Sequence, residues 1–224
     1  MSLRPKAVVA WSSGKDCAWA LHSARTGGQV DVVGLLTTVT GPFDRVSMHG
    51  VRSEVLEAQA KALGLPVHAV PIPYPCPNEV YEKEMARALA ALASEGVSQV
   101  VFGDLFLQEV RSYREEKMAG TGLVPSFPLW GRDTRRLAEE MVAAGLEATI
   151  VCLDPRQLPA RFAGRKFDAR LLSELPPEVD PCGERGEFHT CVTAGPMFDR
   201  PLDVRPGPVV ERDGFVFADL ELAR

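Results

Sequence analysis

The segment from residue 6 to residue 21 reads KAVVAWSSGKDCAWAL. A short run rich in valine and alanine, from Lys6 to Trp11, is followed at once by a polar loop with a glycine and then by apolar residues at helical spacing. This order predicts a strand, a tight loop and a helix. Such a loop directs backbone N–H groups and the positive end of the helix dipole at one point. We therefore expect a polyphosphate group to bind there.

Each residue of this loop has a property that suits a phosphate site. Ser12 and Ser13 carry hydroxyl donors, Gly14 lets the backbone approach a ligand closely, and Lys15 places a positive charge where a leaving pyrophosphate would become more negative. Asp16 is expected to cap the helix and, as a carboxylate, to help hold Mg²⁺ on the phosphates. The alternative is a plain helix N-terminus capped by serines. The loop matches neither the Walker motif nor the dinucleotide fingerprint.

Strand and helix patterns alternate along the first two thirds of the chain. They predict strands at residues 30–39, 67–72, 99–102 and 148–153, and helices at residues 51–63, 79–93 and 133–144. This alternation is typical of an α/β fold with a mostly parallel sheet covered by helices on both faces. In such folds ligands bind at the carboxyl ends of the strands, where the first loop lies.

The pattern changes after residue 153. Proline and glycine become frequent, and a strand-like segment follows from Phe215 to Leu222. We predict a phosphate-binding domain at residues 1–153 and a smaller α+β lobe, which binds the acceptor substrate, at residues 154–224.

Composition excludes several classes of protein. Hydrophobic residues make up 46% of the chain and charged residues 25%, as in ordinary globular domains. The net charge of −5 argues against nucleic acid as the main partner, and the arginines at 132, 135 and 136 are more typical of a solvated helix face. No run approaches the length of a membrane span, and the first residues lack the apolar core of a signal peptide. We expect a cytoplasmic protein that binds no membrane.

The cysteines are expected to be reduced thiols. There are five, an odd number, in a chain without an export signal. Cys182 and Cys191 flank His189, but the absence of a C-x-x-C pair and of an obvious fourth ligand argues against a zinc site.

Motifs spread along nearly the whole chain resemble those of one family. They are Trp11–Asp16, Gly103-Asp104, Pro128-Leu129-Trp130 and Gly183–Thr190, the last reading GERGEFHT. The chain resembles the N-type ATP pyrophosphatases, whose loop reads S-G-G-K-D-S, and more closely their diphthine–ammonia ligase (diphthamide synthase) branch, also called the adenine nucleotide alpha hydrolase-like family.

The resemblance implies a Rossmann-like sheet of the HUP type that binds ATP with Mg²⁺ and cleaves it between the α and β phosphates. A carboxylate would be activated as an acyl-adenylate, which ammonia converts to an amide. By residue, it implies contacts with ATP from Ser12, Ser13, Gly14, Lys15, Asp16, Cys17, Gly103 and Asp104, and contacts with the acceptor from Glu184, Glu187 and Thr190.

The sequence departs from the family pattern at several positions. Ser13 replaces a glycine of the loop, and Cys17 replaces its last serine. In the acceptor motif, His189 stands where diphthine ligases carry a carboxylate, and Arg185 replaces a glycine. These changes alter the charge of the acceptor pocket, so we expect a different acceptor, either a small molecule or a protein carboxylate. In this the chain looks more like the bacterial members of the family.

Histidines supply further candidates. We expect His189 to act as a general base together with Glu184 and Glu187, because the pKa of imidazole lies near neutrality. His49 and Arg52 follow the second strand and are expected to contact phosphate or acceptor. The alternatives are a solvated surface turn around residue 187 and a buried, hydrogen-bonded His49.

These observations lead to one main hypothesis and two alternatives. The main one is an AMP-forming ligase in which Lys15, Asp16, Glu184, Glu187 and His189 are catalytic. The first alternative is a regulatory module that binds ATP or AMP without turnover. The second is an adenylating sulfur transferase, which would need a reactive cysteine pair. We also expect a homodimer, as is common among α/β enzymes.

Overall fold

The structure, a computed structural model, describes residues 4–223; the outermost residues of the two predicted domains lie outside this range. The strands are β1 Lys6–Ala10, β2 Asp31–Thr40, β3 Arg45–Val46, β4 Val67–Ile72, β5 Val97–Val101, β6 Val124–Ser126, β7 Glu147–Leu153, β8 Phe188–Ala194, β9 Val204–Arg212 and β10 Phe215–Leu222. The helices are α1 Lys15–Gly27, α2 Ser53–Leu63, α3 Asn78–Ser94, α4 Gln108–Met118, α5 Thr134–Ala143 and α6 Ala169–Glu174. The predicted elements are present, with ends shifted by one or two residues.

The first sheet is mostly parallel. β1 lies between β2 and β5 and runs parallel to both, while β4 extends the sheet beyond β2 and β6 extends it beyond β5. The short β3 pairs antiparallel with the end of β2. Because the chain continues outward from β1 first on one side and then on the other, the loop after β1 lies at the topological switch point, where ligands bind in such sheets. The predicted Rossmann-like fold is confirmed.

β1 is buried on both faces, which explains its uninterrupted apolar sequence. Ala7 and Val9 belong to a core that includes residues of α1 and α2, whereas Val8 belongs to a separate core that includes Leu89 and Leu92 of α3. Helices therefore cover both faces of the sheet, as the alternation of patterns predicted.

The C-terminal part forms a second, antiparallel sheet in the order β8-β7-β10-β9, and α6 lies between β7 and β8 in the chain. The predicted smaller lobe is thus present. β7, however, belongs to this sheet and does not extend the parallel one. A short buried apolar strand reads the same in both kinds of sheet, so sequence periodicity could not separate them. The change of sheet precedes β7, and the predicted division at residue 153 stays a prediction.

The two parts share a core on the α1 face of the first sheet. Leu21 of α1 and Val192 of β8 are completely buried in the same apolar cluster. This packing brings the start of β8 close to the start of α1.

None of the helices in residues 4–223 has both the length and the apolar character that a membrane span requires.

Candidate active site

A cavity of about 500 Å³ opens at the carboxyl ends of β1, β2 and β5. Helices α3 and α4 form one side of it, and the segment that enters β8 forms another. A volume of this size is typical of small-molecule and cofactor sites. The cavity therefore lies where the alternating strands and helices predicted a ligand.

Lys15 is the buried cation of this cavity. Its side chain begins in the first turn of α1, and the residue is only 1% exposed. Its ammonium group donates to both carboxylate oxygens of Asp16, at 2.9 and 2.8 Å, and to the carbonyl of Cys182. The rings of Phe167 and Phe188 lie with centroids 5.4 and 5.5 Å from Nζ. Burial opposes the charged form, but the nearby acidic groups, Asp16 foremost, together outweigh it, and the pKa of Lys15 is raised.

The prediction that Asp16 caps α1 is wrong. The N-cap is Gly14, whose backbone is extended and which has no capping side chain. Asp16 lies one residue inside the helix, so its carboxylate turns to the Lys15 ammonium group. It still lines the cavity, where it could bind a cation.

Thr190 of β8 joins the C-terminal lobe to the loop between β1 and α1. Its side-chain oxygen accepts a hydrogen bond from the backbone N–H of Lys15 at 3.1 Å. Its carbonyl lies 3.2 Å from Nδ1 of His49. Both residues line the cavity with Thr190, so this strand shapes the site as well as supporting it.

A buried glutamine on α2 fixes the loop from behind. Gln59 is completely buried, and its side-chain amide donates to the carbonyls of Ser13 at 3.2 Å and Val192 at 2.7 Å. Its amide oxygen accepts from the indole N–H of Trp11 at 3.0 Å. The sequence analysis missed this residue, although a lone amide on the apolar face of a predicted helix was a signal that could have found it.

Ser13 adopts a backbone conformation that favours glycine. Its φ is +69°, in the left-handed region. Its hydroxyl oxygen is buried and has no hydrogen-bond partner among the described residues. This conformation gives a physical reason for the glycine that the S-G-G-K-D-S loop carries at the position of Ser13.

Gly103 allows β5 and α1 to come close together. A Cβ atom at this position would lie 2.8 Å from the carbonyl carbon of Asp16, closer than such atoms approach. The next residue, Asp104, accepts hydrogen bonds of 2.7 and 3.1 Å from the guanidinium group of Arg114 on α4. Gly103, Asp104 and Arg114 all line the cavity, so the polar helix α4 contributes to its wall.

Glu184 and Glu187 have different surroundings. Glu184 lines the cavity and accepts from the backbone N–H groups of Leu105 at 2.7 Å and Phe106 at 3.3 Å. Burial raises its pKa to about 7. Glu187 is not among the residues that line the cavity; its carboxylate accepts from the N–H groups of Asp180 and Arg185, both at 2.9 Å. Glu187 thus holds the turn that positions Glu184.

His49 and His189 lie side by side, with ring centroids 4.5 Å apart, and both line the cavity. Burial lowers the pKa of His189 to about 4, with the nearby Lys15 ammonium acting in the same direction. Burial also holds the pKa of His49 well below its ordinary value. The pKa of His189 is thus lower than the near-neutral value expected from the sequence. Both imidazoles are therefore neutral at pH 7.

Part of the cavity wall is apolar and is formed by Leu36 of β2, Met85 of α3, Phe102 after β5 and Met118 of α4. Thr37 of β2 also lines the cavity; it is only 4% exposed, and its hydroxyl has no partner among the described residues. An apolar wall, an unpartnered hydroxyl and a buried cation together suit a nucleotide. Sequence patterns gave no indication of the α3 wall.

The two halves of the chain match two successive domain profiles. The diphthamide synthase N-terminal domain matches residues 5–124, and the diphthamide synthase C-terminal domain matches residues 133–217. The chain belongs to the diphthamide synthase family. The resemblance inferred from the motifs is thus confirmed.

Two relatives of this diphthamide synthase family member are named diphthine–ammonia ligases. The Schizosaccharomyces pombe protein is 25% identical over 218 residues, which cover 89% of this chain and 36% of the yeast protein. The Bos taurus protein is 23% identical over 234 residues, which cover 95% of this chain and 88% of the bovine protein. The chain thus spans about a third of the yeast relative and most of the bovine one.

In this family member Arg52 lies outside the cavity. Its guanidinium group donates to the carboxylates of Asp219, at 2.6 and 3.0 Å, and Glu221, at 2.9 Å, both on β10. This placement does not favour the predicted contact of Arg52 with phosphate or acceptor, which stays a prediction. Its ion pairs instead tie the start of α2 to the C-terminal sheet.

Four of the five cysteines of this family member are buried thiols, and the fifth, Cys76, is half-buried. Burial raises the pKa of Cys17 to about 11 and that of Cys191 to about 12, and it also raises the pKa of Cys182. The Cys17 thiol donates to the carbonyl of Gly14 at 3.0 Å, so it supports the loop in place of a serine. These thiols are poor nucleophiles, which argues against sulfur transfer. Within residues 4–223, no group of three or more His, Cys, Asp or Glu is placed to bind a metal ion.

Proposed function

We propose that this protein is an AMP-forming ligase of the N-type ATP pyrophosphatase class. It binds ATP, transfers the adenylyl group to a carboxylate acceptor and forms an amide with ammonia. The observation that carries the proposal is the buried Lys15 ammonium group at the start of α1, on the wall of a nucleotide-sized cavity. Helix N-termini with an adjacent cation are well suited to polyphosphates.

The lining of the cavity supports one orientation of ATP. The adenosine lies against the apolar wall that includes Met85 and Phe102, and the Thr37 hydroxyl is available to it. The phosphates lie near Ser12 and Lys15. Cys17, which also lines the cavity, closes the first turn of α1.

The first chemical step breaks the bond between the α and β phosphates. An oxygen of the acceptor carboxylate attacks the α phosphorus, and pyrophosphate leaves with the bonding electrons. The Lys15 ammonium group stabilises the charge that develops on the leaving pyrophosphate, an interaction that is strong because the group is buried. When bound, Mg²⁺ would be held by the Asp16 carboxylate and the phosphates and would neutralise further charge.

In the second step ammonia attacks the acyl carbon and AMP leaves, so the nitrogen must lose a proton. Glu184 is the proposed acceptor of that proton, because it lines the cavity and its pKa of about 7 suits transfer at neutral pH. His189, with a pKa of about 4, is a weaker base and is proposed to contact the acceptor as a neutral hydrogen-bonding group. Glu187 supports the turn without contacting substrate.

The acceptor is proposed to be a carboxylate other than diphthine, on a small molecule or a protein. The relatives are named for diphthine, but this chain places the basic Arg185 and the imidazole of His189 in the acceptor motif. A change of charge in a pocket changes which substrate it accepts. The cytoplasmic location and the homodimer remain predictions.

The test is to incubate the protein with Mg²⁺ and ATP labelled at the α phosphate, with and without a cell extract cleared of other nucleotide-cleaving enzymes. Extract-dependent AMP that disappears in Lys15→Ala would support the proposal. The matched control is Lys166→Ala, since the Lys166 side chain is 76% exposed. Formation of ADP in place of AMP would contradict it.

A regulatory module that binds ATP without cleaving it is the second candidate. It is favoured by the reduced acceptor cluster, since Glu187 does not line the cavity and His189 is a weak base. ATP binding without AMP formation under any condition would support this candidate against the ligase.

A further inference from the structure

A second cavity, of about 200 Å³, shares His189 with the first. Its walls come from the turn after β2 and from the β9–β10 hairpin, and they include Phe43, Arg212 and Phe217. It is too small for a nucleotide but large enough for one part of a molecule. A compound that occupied it would reach the first cavity past the imidazole of His189.

Arg212 gives this second cavity its chemical character. Its guanidinium carbon lies 4.9 Å from the ring centroid of Phe43 and 5.3 Å from that of Phe217. Across residues 4–223, the Arg212 side chain has no ion pair or hydrogen bond. The carboxylate of the adjacent Asp213 instead accepts from the hydroxyl of Tyr74 at 2.7 Å. The N–H groups of Arg212 are thus free for an anion.

The neighbouring Arg45, in the same cavity, differs from Arg212 because its guanidinium group already has hydrogen-bond acceptors. Its guanidinium group donates to both carboxylate oxygens of Asp219, at 2.8 and 3.0 Å, and to the carbonyl of Gly50 at 2.6 Å. Arg45 therefore shapes the wall. The position of Arg212 is set by stacking on aromatic rings, and its N–H donors have no acceptor among residues 4–223. This arrangement suits paired hydrogen bonds to an acidic group.

We propose that the second cavity binds the acceptor, and that the acceptor has a flat apolar part and a second acidic group besides the carboxylate that is activated. The flat part lies against Phe217, the second acidic group pairs with Arg212, and the reacting carboxylate extends past His189. This inference rests on the proposed ligase function, because it assumes an acceptor whose carboxylate is activated. The binding it predicts can be measured without turnover.

The test uses phenylacetate as a probe that combines a flat ring with one acidic group. It is titrated into the protein by NMR, first alone and then with α,β-methylene-ATP filling the first cavity. We expect binding in the millimolar range of a fragment and a roughly tenfold weaker affinity in Arg212→Gln. Arg205→Gln on the same strand, where Arg205 pairs with Glu221, should bind as the wild type does. Phenylacetamide, which lacks the charge, should bind the wild type roughly tenfold more weakly.

Several outcomes would overturn the inference: no binding of phenylacetate at millimolar concentration, equal affinity in Arg212→Gln, or equal affinity for phenylacetamide. Displacement of phenylacetate by α,β-methylene-ATP would place the probe in the first cavity and overturn it as well. Failure of the ATP analogue to bind would count against the proposed function alone. The titration without nucleotide would still decide whether the second cavity binds the acid.

Discussion

The side-chain oxygen of Thr190 accepts a 3.1 Å hydrogen bond from the backbone N–H of Lys15, 175 residues earlier in the chain. The first N–H groups of a helix have no partner within the helix, and here β8 supplies one. The position of the first turn of α1 therefore depends on the C-terminal lobe.

Replacing Thr190 by valine tests this dependence. The change keeps the shape but leaves the buried Lys15 N–H without an acceptor, which should lower the free energy of unfolding by about 1–3 kcal/mol. Urea unfolding measures the effect. Thr26→Val is the control, because the hydroxyl of Thr26 bonds only within its own exposed helix turn. Equal stability of the two variants would show that the hydrogen bond contributes nothing.

Ser13→Gly is expected to stabilise the protein. Glycine relieves the left-handed backbone at φ +69° and removes a buried hydroxyl without a partner, a gain of about 1 kcal/mol. Thermal unfolding reports the change. Ser98→Gly, at the second residue of β5, should instead lose about 0.5–1 kcal/mol, because glycine weakens a strand. A loss of stability at both positions would argue against strain at Ser13.

Thr37→Val separates ligand binding from stability. The hydroxyl is buried without a partner in residues 4–223, so its removal should leave the free energy of unfolding unchanged or raise it by about 1 kcal/mol. If the hydroxyl contacts ATP, the affinity should fall roughly tenfold. Ser53→Ala removes another unpartnered hydroxyl that does not line the cavity, and it should leave ATP affinity unchanged. Unchanged ATP affinity in Thr37→Val would remove the residue from the proposed site.

Glu184 should make stability depend on pH in a defined window. Its pKa is about 7 in the folded protein against an ordinary value of 4.5. Between these values the folded state holds a proton that the unfolded state has lost, so the free energy of unfolding falls as pH rises. Glu184→Gln should flatten this slope, which urea unfolding at pH 4.5, 5.75 and 7, roughly spanning the two pKa values, would show. Parallel curves for the two proteins would contradict the raised pKa.

Much of the first sheet could be predicted from the sequence because each strand and helix carries its own period. The valine-rich β1, the alternation that follows and the glycine after α2 are local signals. β7 shows the limit, since its apolar run does not say which strands it joins. β8 lies in the stretch where the sequence analysis noted only frequent proline and glycine, although the β-branched residues Thr190, Val192 and Thr193 are typical of a strand.

The site was predictable where it depends on chain order, and less so where it depends on packing. Lys15, Asp104, Glu184 and His189 line the cavity as expected from motifs. Arg52 does not, because Asp219, distant in sequence, holds it elsewhere. No local sequence pattern indicates a partner so far along the chain. For the same reason, the sequence analysis did not identify Gln59 and Thr37.

Gln59 and two residues of β8 hold the loop between β1 and α1 in place. This arrangement has a consequence for how the two family domains can be inherited. Ser13 is held by the N–H of Val192, and Lys15 by Thr190, so the loop takes its shape from the far end of the polypeptide. A fragment that ends at residue 124 would keep every letter of the motif but would lose the contacts that set the shape of the loop. The two domains are therefore not interchangeable modules, and a recombination event that exchanged one would have to bring matching contacts with it.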